Sequence, residues 1–312
     1  MKEITLKNNK PQVSIGLPVY NGENYLKEAI DSILAQTFTD FELIISDNAS
    51  TDKTPGICRE YAAKDPRIRY YRNEKNQGAS WNFNNVFKLS TGEYFKWAAH
   101  DDLIAPDYIS KCVEVLDKDN TIILCSSRVQ FIDKNGDVIA CHVNELNKVN
   151  SLHSRDRFSD LIYLGHWCLF VFGLIRSDAL RKTSLIKAYP DSDRGLLVEL
   201  GLLGRFHKIP QNLFFNREHP ERFTMTYKNI YLRGGWFDPS KEGKITLWTW
   251  NLFFEYFRFI HRSSLSLYDR VYCYMHMGNW MRLSSRRMGK ELIFIIIYSG
   301  TIQKFRNKLS KK

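Results

Sequence analysis

Stretches that favour strands alternate with stretches that favour helices along the first 97 residues. Strands are predicted at residues 13–17, 41–46, 68–72 and 93–97. Between them, apolar residues recur at helical spacing in residues 23–36 and 79–89, and Pro55 marks the start of a third helix. This alternation predicts a mostly parallel sheet flanked by helices, with ligands bound outside the carboxyl ends of the strands.

The pattern becomes mixed after Pro106. One helix is predicted to follow this proline and to end near Leu116, and a later helix is predicted at residues 194–203. Further strands are predicted at residues 121–125, 129–132, 169–175, 206–209 and 213–215. We therefore expect an α/β fold with a mixed sheet, and a main domain that spans residues 1–220.

From residue 243 onward the chain is aromatic and its apolar residues keep helical spacing. One amphipathic helix is predicted at residues 247–260, and two more at residues 265–281 and 290–299. Such a stripe either packs inward as the core of a helical subdomain or lies on a membrane surface, and the pattern leaves both open. Residues 221–312 are thus expected to form a basic, aromatic-rich helical extension.

The formal net charge of +11 is concentrated in this extension. Residues 221–312 hold 17 of the 45 Lys and Arg but 6 of the 34 Asp and Glu, so the rest of the chain holds 28 of each. A neutral main domain with a basic aromatic tail favours an anionic membrane surface, not nucleic acid, as the partner.

Three further features favour a cytoplasmic protein attached peripherally to the inner face of the cell membrane. The six cysteines are widely spaced without a Cys-x-x-Cys pair, which is typical of free thiols in a reducing compartment. No charged start followed by an apolar segment precedes Val13, so no signal peptide is expected. The longest apolar run, at residues 292–298, is far shorter than the roughly 20 residues that span a bilayer.

The candidate chemistry centres on residues 93–107, where a predicted strand runs into His100, Asp101 and Asp102. Two neighbouring carboxylates repel each other unless a cation, a proton or hydrogen-bond donors compensate their charge. The simple alternative is a loop residue next to a helix cap. No Gly-x-Gly-x-x-Gly follows the first strand and no Gly-Lys-Ser/Thr loop occurs, which argues against a dinucleotide enzyme and a P-loop ATPase.

Five short motifs follow one another in the first 102 residues. They are Pro18-Val19-Tyr20-Asn21, Asp47-Asn48-Ala49-Ser50-Thr51-Asp52, Asn76-Gln77-Gly78, Gly92-Glu93-Tyr94 and His100-Asp101-Asp102. In order and spacing the chain resembles family 2 glycosyltransferases over about residues 11–220. The resemblance implies the Rossmann-like GT-A fold. It also implies inverting transfer of a sugar from a nucleotide-diphosphate sugar to an acceptor hydroxyl, as in the biosynthesis of bacterial cell-surface polysaccharides and glycolipids.

The resemblance also implies a nucleotide-sugar site, with a UDP-sugar favoured and a GDP- or dTDP-sugar as alternatives. The residues that it places there are Pro18, Val19, Tyr20, Asn21, Glu23, Asp47, Asn48, Asn76, Gly78, Asn82, His100 and Asp101. Asp47 would accept hydrogen bonds from the base or the ribose. Gly78 would let the backbone approach the donor, because glycine lacks a Cβ. Asp52 either joins this pocket or caps the next helix, and both interpretations remain open.

The metal motif of the family is Asp-x-Asp, and this chain has Ala99 where the first Asp usually stands. By resemblance, Asp101 is the retained ligand of a Mn²⁺ or Mg²⁺ ion that bridges the diphosphate. Asp102 and His219, the latter in a match to the family's Arg-x-His motif, would complete the metal site. His100 would either bind the metal or donate to a phosphate oxygen.

Residues 191–200 resemble the acidic segment at the start of a helix where the family has its general base. Alignment of the helix selects Asp193, with Asp191 as the second choice. A carboxylate within hydrogen-bond reach of the acceptor hydroxyl can remove its proton as the sugar leaves. Alternatively, Asp191 or Ser192 caps the helix and Asp193 complements the helix dipole. The acceptor is expected to be a saccharide or a lipid-linked molecule.

Two other functions compete with this interpretation. A non-catalytic sugar-nucleotide-binding or scaffold subunit of a polysaccharide assembly is the alternative, because Ala99 replaces the expected acid; such a subunit would bind the donor without turnover. A nucleotidyltransferase would need a basic, Gly-rich phosphate loop after the first strand, and the sequence has none there.

Overall fold

The computed structural model describes residues 10–142, 146–163, 165–222 and 233–309, and it contains one mixed sheet flanked by helices. The strands in these residues are β1 (Val13–Val19), β2 (Phe41–Asp47), β3 (Ile68–Arg72), β4 (Tyr94–Trp97), β5 (Leu103–Ile104), β6 (Ile122–Ile132), β7 (Val138–His142), β8 (Leu174–Arg176) and β9 (Arg205–Arg217). The helices are α1 (Leu26–Leu34), α2 (Thr54–Lys64), α3 (Ala79–Lys88), α4 (Tyr108–Lys118), α5 (Ser154–Ile162), α6 (Ser177–Arg181), α7 (Ser192–Leu203), α8 (Gly234–Phe237), α9 (Trp248–Arg262) and α10 (Leu267–Leu309).

The strand order is β3-β2-β1-β4-β8-β6-β9-β5, with β7 paired to β6. The first four strands are parallel, β8 is antiparallel to both of its neighbours, and β6 is parallel to β9. The predicted α/β fold with a mostly parallel, mixed sheet is thus confirmed. Because Val19 lies opposite Asp47, and Asp47 opposite Arg72, the loops after β1, β2 and β3 leave the sheet at the same edge.

Two hydrophobic clusters make up the core. Every residue of β1 and β2 is buried, as expected for central parallel strands covered on both faces. In one cluster, Leu26 of α1 and Tyr108 of α4 pack with Ile15 of β1. In the other, Val86 of α3 packs with Phe95 of β4.

The helices α9 and α10 belong to the second cluster. Leu252, Tyr256 and Trp280 are fully buried and pack in the same cluster as Phe158 of α5 and Leu196 of α7. The inward stripe of the helical extension is therefore core, as one of the two interpretations held. The boundary at residue 220 remains a prediction. Across the described residues, no helix carries an apolar segment long enough to cross a membrane.

The predicted strand at residues 169–175 is wrong over its first part. A 3-10 turn occupies Leu169–Phe172, and the strand β8 follows it. The carbonyl of Phe172 accepts hydrogen bonds from the Lys96 ammonium and from the Tyr108 hydroxyl, the latter at 3.2 Å. This carbonyl therefore satisfies buried polar groups instead of a neighbouring strand, which no local pattern could show.

Three predicted pairs of elements are single elements. Residues 121–125 and 129–132 belong to β6, residues 206–209 and 213–215 belong to β9, and the last two predicted helices belong to α10. Register shifts between β6 and β9 let the long strands stay paired across the polar residues that interrupt their apolar pattern. The helix α10 continues because residues 282–289 contain no proline.

Candidate functional site

The loop after β1 is fastened to the loop after β2. The N–H of Asn21 donates to the Ser50 hydroxyl at 2.9 Å, and the N–H of Thr51 donates to the side-chain oxygen of Asn21 at 2.9 Å. The N–H of Gly22 donates to the Thr54 hydroxyl at 2.9 Å. Asn21 has a φ of 50°, a left-handed conformation that asparagine tolerates better than most residues. These bonds fix the rim of the sheet edge on which the expected donor residues lie.

Asp52 lies just before α2, whose N-cap residue is Lys53. Its carboxylate accepts a hydrogen bond from the N–H of Thr54 at 3.0 Å and another from the N–H of Glu23 at 3.1 Å. Glu23 in turn accepts from the N–H of Lys53 at 2.9 Å. Asp52 thus ties the loop after β1 to the start of α2 without being the N-cap residue, and both interpretations of Asp52 stay predictions. A contact of Glu23 with a donor remains a prediction.

Asp47 is fully buried at the end of β2. One of its oxygens accepts from the N–H of Ser50 at 2.8 Å, and the other accepts from the Tyr70 hydroxyl at 2.9 Å. The guanidinium of Arg72 lies 3.4 Å from the second oxygen. Asp47 therefore organises the turn that follows β2, and its predicted contact with a base or ribose would add to these bonds.

Amide side chains connect this turn to the start of α3. The side-chain amide of Asn48 donates to the side-chain oxygen of Asn76 at 2.8 Å, and Asn76 also accepts from the N–H of Gly78 at 2.8 Å. Buried Asn82 donates to the carbonyl of Ser46 at 2.8 Å. Asn48, Asn76 and Gly78, all predicted to bind the nucleotide-sugar, thus form one network. It holds the 76–78 segment against the end of β2.

The structure gives a reason for glycine at position 78 that the sequence did not indicate. Its φ is +87°, and a Cβ at this position would lie 2.4 Å from the carbonyl oxygen of Phe237 in α8. Glycine is therefore required both by the backbone conformation and by the close approach of the helical extension. The predicted approach of Gly78 to a donor stays a prediction.

Pro18, Val19 and Tyr20 lie at the same edge with different exposure. Pro18 and Val19 are buried inside β1, and Pro18 lies beyond Gly16, where the pairing with β4 ends, so its missing N–H breaks no ladder there. The ring of Tyr20 is 45% exposed. Of the three, Tyr20 is the side chain with surface left to offer a base or sugar.

The expected acidic cluster forms where the loop after β4 meets the end of β9. The Asp101 carboxylate lies 2.9 Å from His219 Nε2 and 4.0 Å from His100 Nδ1. The buried Asp102 carboxylate accepts bonds from the Asn216 amide at 2.9 and 3.1 Å and from the N–H of Arg217 at 2.9 Å. The neighbouring carboxylates thus have separate partners, which compensates the repulsion that the sequence implied.

The pKa values of the Asp101 and Asp102 carboxyl groups shift in opposite directions. Burial opposes ionisation of Asp101, but His100 and the hydrogen bond from His219 outweigh it and hold the pKa of Asp101 below its ordinary value. Burial, and then the charge of Asp101, raise the pKa of Asp102. The ring of His100 packs on Gly22, since a Cβ there would lie 2.6 Å from it. The loop after β1 therefore sets the position of His100.

The expected three-ligand metal set of Asp101, Asp102 and His219 is not found. Among the described residues, no three His, Cys, Asp or Glu side chains converge on a point that could hold a metal ion. Both Asp102 oxygens already accept hydrogen bonds from the protein, and His219 directs Nε2 at Asp101 while its Nδ1 is buried. Asp101 does fit a cation through its other oxygen, because Mg²⁺ and Mn²⁺ at diphosphates need one or two carboxylates.

Asp193 lies in the first turn of α7 and is partly exposed. Its carboxylate accepts from the N–H of Arg194 at 2.9 Å. Burial, and then the charge of Asp191, raise the pKa of Asp193 from 3.8 to about 6. Asp191 precedes the helix in a left-handed conformation, with a φ of 61°, and makes no side-chain cap hydrogen bond. The expected base is thus a carboxylate with a raised pKa that remains ionised at neutral pH.

A chain of contacts leads from α7 towards the acidic cluster. The buried guanidinium of Arg194 lies 2.8 Å from His166 Nε2. The next residue, Trp167, is 49% exposed, and its ring lies 5.3 Å from Phe131 of β6. Phe131 is the register partner of Asn216, which holds Asp102. Within the described residues, no hydrogen bond joins Asp193 to the 100–102 segment.

Sequence reasoning assigned no role to Asn216, Arg217 or Glu28. Arg217 is fully buried, donates to the carbonyl of Asp101 at 2.9 Å and forms an ion pair with Glu28 at 2.6 Å. The Arg-x-His motif was a visible signal for Arg217. Its partners are 116 and 189 residues away in sequence, so they could be identified only in the folded chain.

Comparison with known proteins places this geometry in a family. The sequence model described as Glycosyl transferase family 2 matches residues 14–182, which is more than half of the chain. The chain belongs to this family. The chondroitin synthase of Escherichia coli is 31% identical over 222 residues, which cover 70% of this chain and 30% of that protein. The chain spans between 12 and 46% of the length of the curated relatives compared with it.

Solved structures agree on the fold. TarS 1-349 of S. aureus, in complex with UDP-GlcNAc, has a TM-score of 0.65 and 15% identity, and the match covers 86% of this chain and 72% of that one. The mannosyltransferase PcManGT of Pyrobaculum calidifontis, in complex with GDP-Man and Mn²⁺, has a TM-score of 0.51 and 16% identity, with 89% and 76% covered. The GT-A fold predicted for this family 2 glycosyltransferase is thus confirmed.

Proposed function

We propose that this protein transfers a sugar from a nucleotide-diphosphate sugar, with inversion, to a hydroxyl of a saccharide or lipid-linked acceptor in the biosynthesis of a cell-surface polysaccharide or glycolipid. One observation carries the proposal: the folded chain collects Asp101, His219 and the expected donor residues at one sheet edge of a family 2 fold. Ligands of open α/β sheets bind at this edge.

The donor side is built from the loops after β1 and β2. Tyr20, at 45% exposure, is available to a base, and Asp47 and Asn48 at the end of β2 are fixed by hydrogen bonds. A UDP-sugar is the first choice, since TarS was solved with UDP-GlcNAc, and a GDP-sugar is the second, since PcManGT was solved with GDP-Man.

A Mn²⁺ or Mg²⁺ ion would be held by the free oxygen of Asp101, with His219 orienting that carboxylate at 2.9 Å. When bound, such an ion neutralises charge on the departing diphosphate. His100, next to this oxygen, is placed to donate to a phosphate. Support for metal use comes from PcManGT, which was solved with Mn²⁺.

The acceptor side is assigned to Asp193. With a pKa of about 6, its carboxylate is ionised at neutral pH and can take the proton from an acceptor hydroxyl. The N–H of Arg194 orients one oxygen of this carboxylate. Attack from this side, opposite the diphosphate, is a single in-line displacement and gives inversion.

The test is a transfer and hydrolysis assay with UDP-, GDP- and dTDP-sugars, with and without Mn²⁺. Asp193→Asn should lower turnover by about 10²- to 10⁴-fold, the usual contribution of a general base, and should keep donor binding as measured by thermal shift. The control Asp178→Asn changes an exposed acid on α6 and should leave both unchanged. Wild-type turnover in Asp193→Asn would show that the base is another group.

A non-catalytic donor-binding subunit is the second candidate, because Ala99 stands in place of an acid and Asp102 is committed to Asn216. The same assay separates the two functions. Donor-induced stabilisation without hydrolysis or transfer by the wild-type protein would favour the binding subunit.

The protein is further proposed to attach to the inner, anionic face of the cell membrane through α9 and α10. Phe254, Phe257 and Ile293 are between 51 and 57% exposed, and Arg286 and Lys290 are exposed nearby in sequence. Exposed aromatic, apolar and basic side chains on helices suit an anionic bilayer.

Vesicles of phosphatidylserine and phosphatidylcholine test the attachment by co-sedimentation at low and high salt. Ile293→Gln together with Lys290→Gln should reduce binding to anionic vesicles, because both the apolar and the charged contributions are lost. The matched surface change Val138→Gln, an exposed apolar residue in β7, should not. Equal sedimentation of all three proteins would leave α9 and α10 with a packing role alone.

A further inference from the structure

Arg217 is a fully buried arginine at the end of β9 that binds three separate parts of the chain. Its Nε donates to the carbonyl of Asp101 at 2.9 Å, and one Nη donates to Glu28 of α1 at 2.6 Å. The other Nη donates to the carbonyl of Lys134, in the turn between β6 and β7, at 3.1 Å. Its own N–H donates to Asp102 at 2.9 Å.

The same guanidinium also supports the partner of Asp101. Its Cζ lies 4.8 Å from the ring centroid of Tyr25, and the Tyr25 ring lies 4.7 Å from the His219 ring. His219 in turn contacts the Asp101 carboxylate at 2.9 Å. Arg217 therefore fixes the Asp101 backbone directly and, through Tyr25 and His219, the Asp101 side chain.

We propose that Arg217, anchored by Glu28, is a positioning residue that aims the free oxygen of Asp101 at the cation that would bind together with the diphosphate. The inference rests on the proposed donor site, but it concerns residues that would touch neither the donor nor the metal. Removal of Arg217 would let the Asp101 loop rotate, and the one carboxylate available to the cation would lose its direction. The direction of Asp101 matters more in this site than in a site with two metal-binding acids, because Ala99 supplies no second carboxylate.

Arginine is needed for geometric reasons. A planar guanidinium has five N–H donors in a fixed fork, so it can reach the carbonyls of Asp101 and Lys134 and the Glu28 carboxylate from one place. A lysine in the same position has a single ammonium on a flexible stem and cannot reach all three groups. The pair with Glu28 also balances the buried positive charge, and Glu28 is itself about half exposed, so it can be changed without opening the core.

The experiment compares Arg217→Lys and Glu28→Gln with the wild-type protein by titrating UDP at a series of MnCl₂ concentrations in a calorimeter. Outer contacts of this kind typically change metal affinity by about 10- to 100-fold. We expect Arg217→Lys to raise the Mn²⁺ concentration needed for half-maximal UDP binding by about tenfold, and Glu28→Gln by a smaller factor. UDP binding without Mn²⁺ should change little in either variant.

The matched control is Arg176→Lys. Like Arg217, Arg176 donates to backbone carbonyls, that of Ile122 at 3.0 Å and that of Leu116 at 2.5 Å. Its guanidinium also lies over an aromatic ring, with Cζ 5.4 Å from the ring centroid of Tyr94. Arg176 is the last residue of β8 and pairs with Tyr94, at the end of β4 that is opposite to the acidic cluster. A purely structural effect would lower the melting temperature of both lysine variants and leave the Mn²⁺ dependence of UDP binding unchanged in both.

The results distinguish failure of the Arg217 positioning role from failure of the proposed donor site. If wild-type protein binds UDP with Mn²⁺ and both Arg217→Lys and Glu28→Gln keep the wild-type Mn²⁺ midpoint, the positioning role is wrong and the proposed donor site stands. If Arg217→Lys does not fold, Glu28→Gln alone decides, because its side chain is on the surface. If the wild-type protein binds no nucleoside diphosphate at any Mn²⁺ concentration, the proposed function fails, and the positioning role fails with it.

Discussion

The substitution Asp193→Asn should raise the stability of the protein at the same time as it removes turnover. In the folded state burial and Asp191 raise the pKa of Asp193 from 3.8 to about 6, so the ionised carboxylate is destabilised at neutral pH. Asparagine has no such charge, and its side-chain oxygen can still accept from the N–H of Arg194, which Asp193 does at 2.9 Å. The catalytic carboxylate would thus be held at the expense of stability.

The magnitude follows from the difference between the two pKa values. A rise from 3.8 to about 6 corresponds to about 3 kcal/mol at 1.36 kcal/mol per pH unit. Asp193 is partly exposed, so solvent screening reduces this to about 1.5 kcal/mol. For a chain of this size, 1 kcal/mol changes the melting temperature by about 2 °C, so Asp193→Asn should melt about 3 °C higher at pH 7.5.

The stability difference between Asp193→Asn and the wild-type protein should depend on pH. An acid with a raised folded-state pKa destabilises the protein fully above that pKa, and the penalty shrinks as the pH falls from 6 towards 4, because the group becomes protonated in the folded state first. The stabilisation in Asp193→Asn should therefore shrink below pH 6 and be small by pH 4. Wild-type turnover needs the ionised base, so it should fall about tenfold between pH 7 and pH 5 for a pKa of about 6.

The assays are differential scanning fluorimetry across pH 4 to 8 and initial rates of donor hydrolysis over the range in which the protein stays folded. Asp178→Asn, at the exposed acid on α6, is the control and should change neither quantity. A stabilisation that does not vary with pH, or a lower melting temperature for Asp193→Asn at pH 7.5, would refute the electrostatic argument. A flat rate between pH 7 and pH 5 would refute the base assignment.

Three further substitutions test other parts of the structure. Gly22→Ala should displace the His100 ring, since the new Cβ would lie 2.6 Å from it, and should weaken donor binding; the strain should lower the free energy of unfolding by about 1–3 kcal/mol, measured with urea. Asp102→Ala should destabilise by about 1–3 kcal/mol, because the buried donors on Asn216 and Arg217 lose their acceptor; an unchanged urea midpoint would contradict the structural role of Asp102. Trp280→Ala should destabilise by about 3–5 kcal/mol and keep one transition by near-UV and far-UV circular dichroism, because α10 shares the core of the catalytic fold; separate transitions would show an independent helical unit.

Several elements of the fold could be predicted because local pattern and final environment agree. The strands β1 and β2 are rich in β-branched and other apolar residues, and both are buried on two faces. The amphipathic helix α1 follows the apolar spacing that predicted it. The same reasoning failed at Leu169–Phe172, where an apolar segment is bent into a turn because its last carbonyl binds buried Lys96 and Tyr108. Apolar content alone cannot separate such a turn from a strand.

Some features of the candidate site could likewise be predicted from the sequence, and others could not. The motif order predicted that the 100–102 segment and the Arg-x-His motif serve one site, and the structure brings Asp101 and His219 to 2.9 Å. The sequence could not predict that Asp102 is committed to Asn216, since the two residues are 114 positions apart. It could not predict either that Gly78 is required by Phe237 of the helical extension.

By itself, the sequence determined the class of the molecule: the alternating pattern implied an α/β sheet, and five ordered motifs implied a family 2 glycosyltransferase. The tertiary structure decided how the charged residues are divided between packing and chemistry. It committed Asp102 to the N–H groups of β9, paired Arg217 with Glu28, and left an oxygen of Asp101 available. The physical reason is that burial forces each polar group to find a partner, and the partners come from strands and helices that only folding brings together.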